Sequence, residues 1–214
     1  MKNYIYIDGE NFRHRIIEAL KIEKKISHSQ EFSDLLFNFR QLFANILGKD
    51  SESFIIRYYG TRTKLIKNQG SYLAARTQLI INSNRKLKRL LQRQNIEFVE
   101  CGNLKIRDGD KCNNCKMTTQ KQLQEKGVDV RLAVDMIVNH KKGDYVFLAS
   151  SDSDLISAIE QLLNRGVNVT YLGFENQITN SIVRAKARNT QHNAVHSIII
   201  RNHEIVNCIQ KTLL

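Results

Sequence analysis

YVFLASSDSDLISAIEQLLNRGVNVTYL, residues 145–172, is the stretch that decides the fold. Its opening run, Tyr145–Ser150, is short and rich in aromatic and branched side chains, which predicts a strand. A turn carrying Asp152 and Asp154 follows, and Leu155–Arg165 then repeats apolar residues at helical spacing. Gly166, directly after Arg165, reads as the glycine that stops a helix, and Val167–Leu172 is again a strand-like run. A strand, a helix and a strand in such close succession return to the same sheet in parallel, through a right-handed crossover.

The alternation continues outward. Tyr4–Asp8, Phe54–Tyr59 and Ile96–Glu100 are further strand candidates, most of them bounded by Gly, Asp or Asn. Helical patterns fill the intervals at Phe12–Ala19, Phe32–Leu47, Tyr72–Gln94 and Val128–Asn139. The expectation is an α/β domain, with a central and mostly parallel sheet covered on both faces. The chain contains no proline, no low-complexity linker and no evident repeat. One domain over residues 1–174 accounts for this, with 102–126 as a long irregular insertion that carries cysteines. Residues 175–214 then form a helical or strand extension packing on the same domain.

Composition bounds the function. At 214 residues, 42% hydrophobic and 25% charged, the chain fits a soluble globular protein with a sizeable core. No apolar run is long enough to span a bilayer, and MKNYIYID lacks the charged-then-apolar layout of a signal peptide. The four cysteines therefore read as reduced thiols in a cytoplasmic protein, with metal binding as an option. Lys and Arg number 33 against 21 Asp and Glu, a net charge of +12. The excess is uneven. Between Thr61 and Ile96 there is no acidic residue, while Arg62, Arg85, Lys86, Lys88 and Arg89 all fall there. Singly each fits a solvated helix face; as a one-signed stretch they fit a polyanion, whose phosphates release counterions when neutralised. In the tail, Arg184 and Lys186 fit the same two readings.

The acids carry the chemistry. Ligand sites in open parallel sheets lie beyond the carboxyl ends of the strands. Asp8 ends the first strand in YIDGEN, Asp152 follows the fourth in FLASSDSD, and Asp129 in KGVDVRLAVD begins the helix leading into that strand. Asp154 lies two residues beyond Asp152. Taken one at a time, Asp129, Asp152 and Asp154 fit helix N-caps and Asp8 a turn before Gly9. Taken together they need another account. Two carboxylates ~4 Å apart repel by roughly 4 kcal/mol at an effective dielectric near 20, so convergence requires a proton or a cation. Oxygen-rich sites of this kind suit Mg²⁺ or Mn²⁺, ions that assist hydrolysis of phosphate esters.

YIDGEN, KGVDVRLAVD and SSDSDL, in that order, resemble the three motifs of NYN domains, LabA/DUF88-like members of the PIN-like nuclease superfamily. The resemblance spans Tyr4 to Leu155. It implies a PIN-like Rossmannoid three-layer sandwich and a divalent-metal-dependent ribonuclease, read as an endoribonuclease, with DNA not excluded as substrate. It also implies an acidic site of Asp8, Asp129, Asp152 and Asp154, the first three holding the metal. Asn11 matches the family's asparagine after the first acid, whose amide orients a carboxylate or a phosphate. Ser150 and Ser151 match the small polar residues before the last acids, whose hydroxyls donate to a phosphate oxygen. PIN-like domains often associate, which makes a homodimer part of the expectation.

Asp135 also matches the middle motif, but six helical residues rotate about 600°, which turns it from the Asp129 face toward a supporting role. Cys112 and Cys115 form CNNC, with Cys101 upstream, and fit either a structural Zn²⁺ site completed by Cys208 or a His, or free thiols. The six histidines sit in no recognisable hydrolase motif. Two alternatives to the ribonuclease stay open: a catalytically weak nucleic-acid-binding or regulatory module, and a phosphatase or phosphotransferase of another acid-motif family. Against the latter, Asp8 is followed by Gly9 and Glu10, with no second Asp two residues on.

Overall fold

In a computed structural model, described here over residues 2–27, 30–65, 71–108, 121–175 and 195–209, one parallel sheet organises the chain. Its strands are β1 (Asn3–Asp8), β2 (Phe54–Thr61), β3 (Glu97–Cys101), β6 (Tyr145–Ala149), β7 (Asn168–Phe174) and β8 (His196–Ile200). They lie side by side in the order β3-β2-β1-β6-β7-β8, every neighbouring pair parallel. From β1 the chain winds outward through β2 to β3, and from β6 outward through β7 to β8. The direction of winding thus reverses between β1 and β6, the place where open α/β sheets form their crevice.

Side-chain alternation along the strands builds the three layers. Ile5 and Ile7 of β1, with Ile56 and Tyr58 of β2 and Phe147 and Ala149 of β6, face one way. They pack beneath α1 (Gly9–Ile22), α2 (Phe39–Leu47), α3 (Ser71–Arg93) and α6 (Asn202–Val206). Tyr6, Tyr59, Val146, Leu148 and Val169 face the other way, beneath α4 (Val128–Val138) and α5 (Ile156–Asn164). The two-residue period of a strand forces this division. Phe12 of α1 anchors the first layer, its ring touching those of Phe37, Phe39, Phe43 and Phe174. Burying one such side chain contributes about 1.5–3 kcal/mol.

The expected α/β sandwich is therefore present, and Gly166, at φ +74°, ends the α5 turn as anticipated. Two local expectations are corrected. Phe32–Leu47 is not one helix: a 3-10 turn at Phe32–Asp34 gives way to extended chain before α2 begins. Leu35, Phe37 and Phe39 are buried at a two-residue spacing, Phe37 bridges to Ile209, and Asn38 caps α2 by accepting from the Gln41 N–H at 3.0 Å. Nor are both ends of 102–126 irregular. β4 (Asn103–Arg107) and β5 (Gln122–Lys126) pair as an antiparallel hairpin, with Leu104 and Ile106 alternating toward the protein. The C-terminal stretch adds β8 to the sheet edge and sets α6 against α1.

Candidate active site

Three elements bring acids to the reversal point. Ile7 of β1 pairs with Ala149 of β6, so Asp8 and Ser150 leave the sheet side by side. Gly9 follows Asp8 because the chain must turn at once into α1 against the sheet. A Cβ there would meet the Tyr58 ring at 2.2 Å and the Tyr59 carbonyl oxygen at 2.3 Å. The hairpin then delivers its last strand into α4, whose first turn carries Asp129.

The result is an open cleft of about 560 Å³, walled by Asp8, Glu10, Asn11, Arg15, Glu125, Asp129 and Asp152. Asp8, Asp129 and Asp152 are thus brought together. Asp154 is not. It is exposed outside the cleft wall, and its backbone N–H donates to Asp152 Oδ1 at 2.9 Å. Side chains two apart on such a tight turn do not share a face. Asp152 therefore both lines the cleft and caps the turn at Ser153–Leu155.

A short hydrogen-bonded chain fixes the acids. Ser150, fully buried, donates its hydroxyl to Asp8 Oδ2 at 2.8 Å and accepts from the Asp152 N–H at 3.0 Å. Ser151 donates both its N–H and its hydroxyl to Asn11 Oδ1, at 3.0 and 2.8 Å. The two hydroxyls expected to donate to a phosphate are thus turned inward, setting the loop that carries Asp152. Asp135 lies away from the cleft, held by Arg131 at 2.8 Å and by the Tyr59 hydroxyl at 3.0 Å.

The electrostatics agree with convergence. Burial pushes the Asp8 carboxyl above its ordinary range, and the nearby Asp152 and Glu10 charges push the same way. The Ser150 hydroxyl and the Asn11 backbone N–H oppose them. Glu125 is pushed up to about 7, first by burial and then by Glu10 and Asp8. Its partner is the hydroxyl of Thr61.

Three contributors were absent from the sequence reading. Arg15 sits one helical turn after Asn11, mostly buried, with its guanidinium on Glu18 at 2.8 Å and on Ser151 Oγ at 3.3 Å. The i, i+4 spacing from Asn11 was the available signal. His14 and Glu125 stand on the cleft wall too; Glu125 belongs to a strand hidden by the irregular reading of its segment.

The donor set is hard oxygen, the chemistry Mg²⁺ and Mn²⁺ select. Among the described residues, no three His, Cys, Asp or Glu side chains close around a single point tightly enough to cage an ion. That spacing fits an ion held by one or two carboxylates that keeps most of its waters, as Mg²⁺ commonly does. The zinc expectation fares differently. Cys101 is a buried thiol pushed up to about 11 by burial. Cys208 packs in the layer on the opposite face of the sheet from Cys101, so it is no fourth ligand beside it. Cys112 and Cys115 lie outside the described residues, as do Arg184 and Lys186. Of the basic positions expected to meet a polyanion, Arg62, Arg85, Lys86 and Arg89 are exposed. Lys86 pairs with Asp34 at 2.7 Å, and Lys88 pairs with Glu100 at 3.0 Å while lying over the Phe98 ring.

A doubly covered parallel sheet with acids at its reversal point defines a Rossmann-like α/β protein of PIN-like architecture. The sequence model of the NYN domain matches residues 2–193, and the chain belongs to that family. NYN domains are in general nuclease domains. A comparison with curated proteins gives no match. Among the described residues, no helix is long and apolar enough to cross a membrane.

Proposed function

We propose that this protein is a divalent-metal-dependent ribonuclease that hydrolyses phosphodiester bonds in the acid cleft. One observation carries the reading: Asp8, Asp129 and Asp152 come from three separate elements to one cleft in a chain of net charge +12. A pure binding module gains nothing from carboxylates beside a phosphate path, because they repel the ligand.

Asp8, Asp129 and Asp152 would hold Mg²⁺ or Mn²⁺, one or two of them directly and the rest through the ion's waters, and the ion when bound would activate water and stabilise charge on phosphate oxygens. The protein's own groups prepare that site. Ser150 fixes the Asp8 carboxylate, and the Asn11–Ser151 pair fixes the loop bearing Asp152. Arg15 places a positive charge on the cleft wall, where it faces a phosphate oxygen. The exposed Arg85 and Arg89 of α3 hold the strand by its backbone, and Arg184 and Lys186 join that role. RNA in preference to DNA rests on the family, since charge does not read the sugar.

Labelled RNA and DNA strands incubated with Mn²⁺, Mg²⁺ or chelator test this, with Asp152→Asn alongside. Cleavage dependent on metal and lost in the variant is expected. Cleavage that survives chelator contradicts it, and binding without cleavage favours a regulatory nucleic-acid-binding module.

A further inference from the structure

A second and larger hollow, of about 950 Å³, opens beside the acid cleft and shares Glu10, His14 and Glu125 with it. The two lie side by side against that shared wall, as halves of a trough that differ in chemistry. The acid half is lined by carboxylates. The other half lies between α3 and the β4–β5 hairpin, and its walls include Phe98, Leu104 and Leu123.

On the α3 side, Tyr72, Arg76 and Leu79 share one helix face at successive turns. Leu79 is 65% exposed and Tyr72 49%, a large apolar area for a solvated wall. Arg76 Nη1 donates to the Tyr72 hydroxyl at 3.1 Å, which steadies the ring and keeps a cation beside it. Asn84 also lines the trough, its amide steadied by the bond from Nδ2 to Thr63 Oγ1 at 3.1 Å, a group suited to the polar edge of a flat heterocycle.

We propose that this half of the trough is a nucleobase-binding subsite, which takes the unpaired bases of a single strand while the backbone runs on into the acid cleft. Flat π-faced bases suit an aromatic and aliphatic slot, and stacking on such platforms tolerates any base. A duplex keeps its base faces stacked internally and offers this slot only backbone. Charge favours a nucleic acid over a protein segment or a second copy of this chain. α3 carries no acid along its length, and the three acids on the wall are each engaged: Glu10 is held by Arg13 at 2.6 Å, Glu31 interacts with the same Arg13 charge, and Glu125 is held by Thr61. The path into the acid cleft rests on the nuclease reading above; base binding itself does not.

Binding is measured by fluorescence anisotropy, in chelator so that nothing is cut. The probes are a short single-stranded RNA, an abasic strand of equal length, and a duplex. Wild-type protein is expected to bind the base-bearing strand more tightly than either of the others. Tyr72→Ala is expected to weaken that strand about tenfold and leave the other two unchanged. Tyr72→Phe restores the affinity, and the salt dependence of Tyr72→Ala matches wild type because no phosphate contact is lost. Leu79→Ser, at an exposed position that folding does not need, repeats the loss. Equal affinity for abasic and base-bearing strands, or no effect of Tyr72→Ala and Leu79→Ser, overturns the proposal and leaves the slot to a protein partner. Loss of cleavage in Asp152→Asn is read separately, so failure of base binding and failure of the nuclease reading are distinguishable.

Discussion

Ser150 holds Asp8: its hydroxyl donates to Asp8 Oδ2 at 2.8 Å across the boundary between the two central strands. Ser150 Oγ also accepts from the Asp152 N–H at 3.0 Å, so one buried hydroxyl positions acids that lie far apart in sequence. Its loss frees both acids at once.

Ser150→Ala is therefore expected to weaken Mn²⁺ binding and cleavage by about 10–100-fold, the usual effect of losing a group that orients a metal ligand. The Ser150 bond lowers the Asp8 pKa, so the acidic limb of the pH–rate profile moves to higher pH in the variant. A profile that drops in height without moving means Ser150 does not act through Asp8.

Asp8→Asn removes activity, yet it is expected to raise thermal stability at neutral pH. A carboxyl whose folded-state pKa lies above its unfolded value favours folding least when ionised. Its penalty is absent below the unfolded pKa and fully present above the folded one. The gain in Tm should vanish in acid, where both forms of the wild type are protonated. A variant that melts below wild type at neutral pH contradicts the strain assigned to Asp8.

Glu125 gives a second pH signature. Its pKa is pushed up to about 7, so wild-type stability loses ground as pH rises from the ordinary glutamate range through 7. Glu125→Gln lacks that component. Melting curves at pH 5 and pH 8 should differ less for the variant than for wild type. An equal difference places the carboxyl in a more solvated setting than the cleft wall.

Asp135→Ala separates support from chemistry. The carboxylate accepts from Arg131 and from Tyr59 on the side away from the cleft. Removing it leaves the Tyr59 hydroxyl without its partner, at a cost of about 1–3 kcal/mol in denaturant unfolding. Cleavage by the folded fraction should persist. Its complete loss in a folded variant makes Asp135 part of the reaction.

The basic helix predicts an uneven salt dependence. Lys86 and Lys88 already pair with Asp34 and Glu100, whereas among the described residues Arg85 and Arg89 make no ion pair. Arg85→Gln with Arg89→Gln should flatten the salt slope of RNA binding more than Lys86→Gln with Lys88→Gln. The reverse order means the lysines leave their partners for phosphate.

The sheet and its acids could be read in advance because strand runs, helical periods and strand-end aspartates are local signals. Asp8 and Asp152 follow from them directly. What escaped depends on distant partners. Phe37 is extended because Ile209, at the far end of the chain, pairs with it. QLQEK at 122–126 has a single apolar residue, so nothing marks it as a strand until Asn103–Arg107 lies alongside, and Glu125 was missed with it. Asp154 differs again: motif spacing sets it two residues after Asp152, and in the fold its N–H closes the capped turn while the residue stands exposed outside the cleft wall.

The claim that the acid cleft holds a divalent ion for hydrolysis is tested most directly by titrating Mn²⁺ into wild-type protein and Asp152→Asn. RNA cleavage and thermal melting are followed on the same samples. The account predicts that rate and Tm rise together over one range of Mn²⁺ in wild type, since an ion bound only by the folded state stabilises it. In Asp152→Asn both curves should move to higher Mn²⁺. A rate that reaches its full value with chelator present, or a Tm response to Mn²⁺ identical in the two proteins, contradicts it.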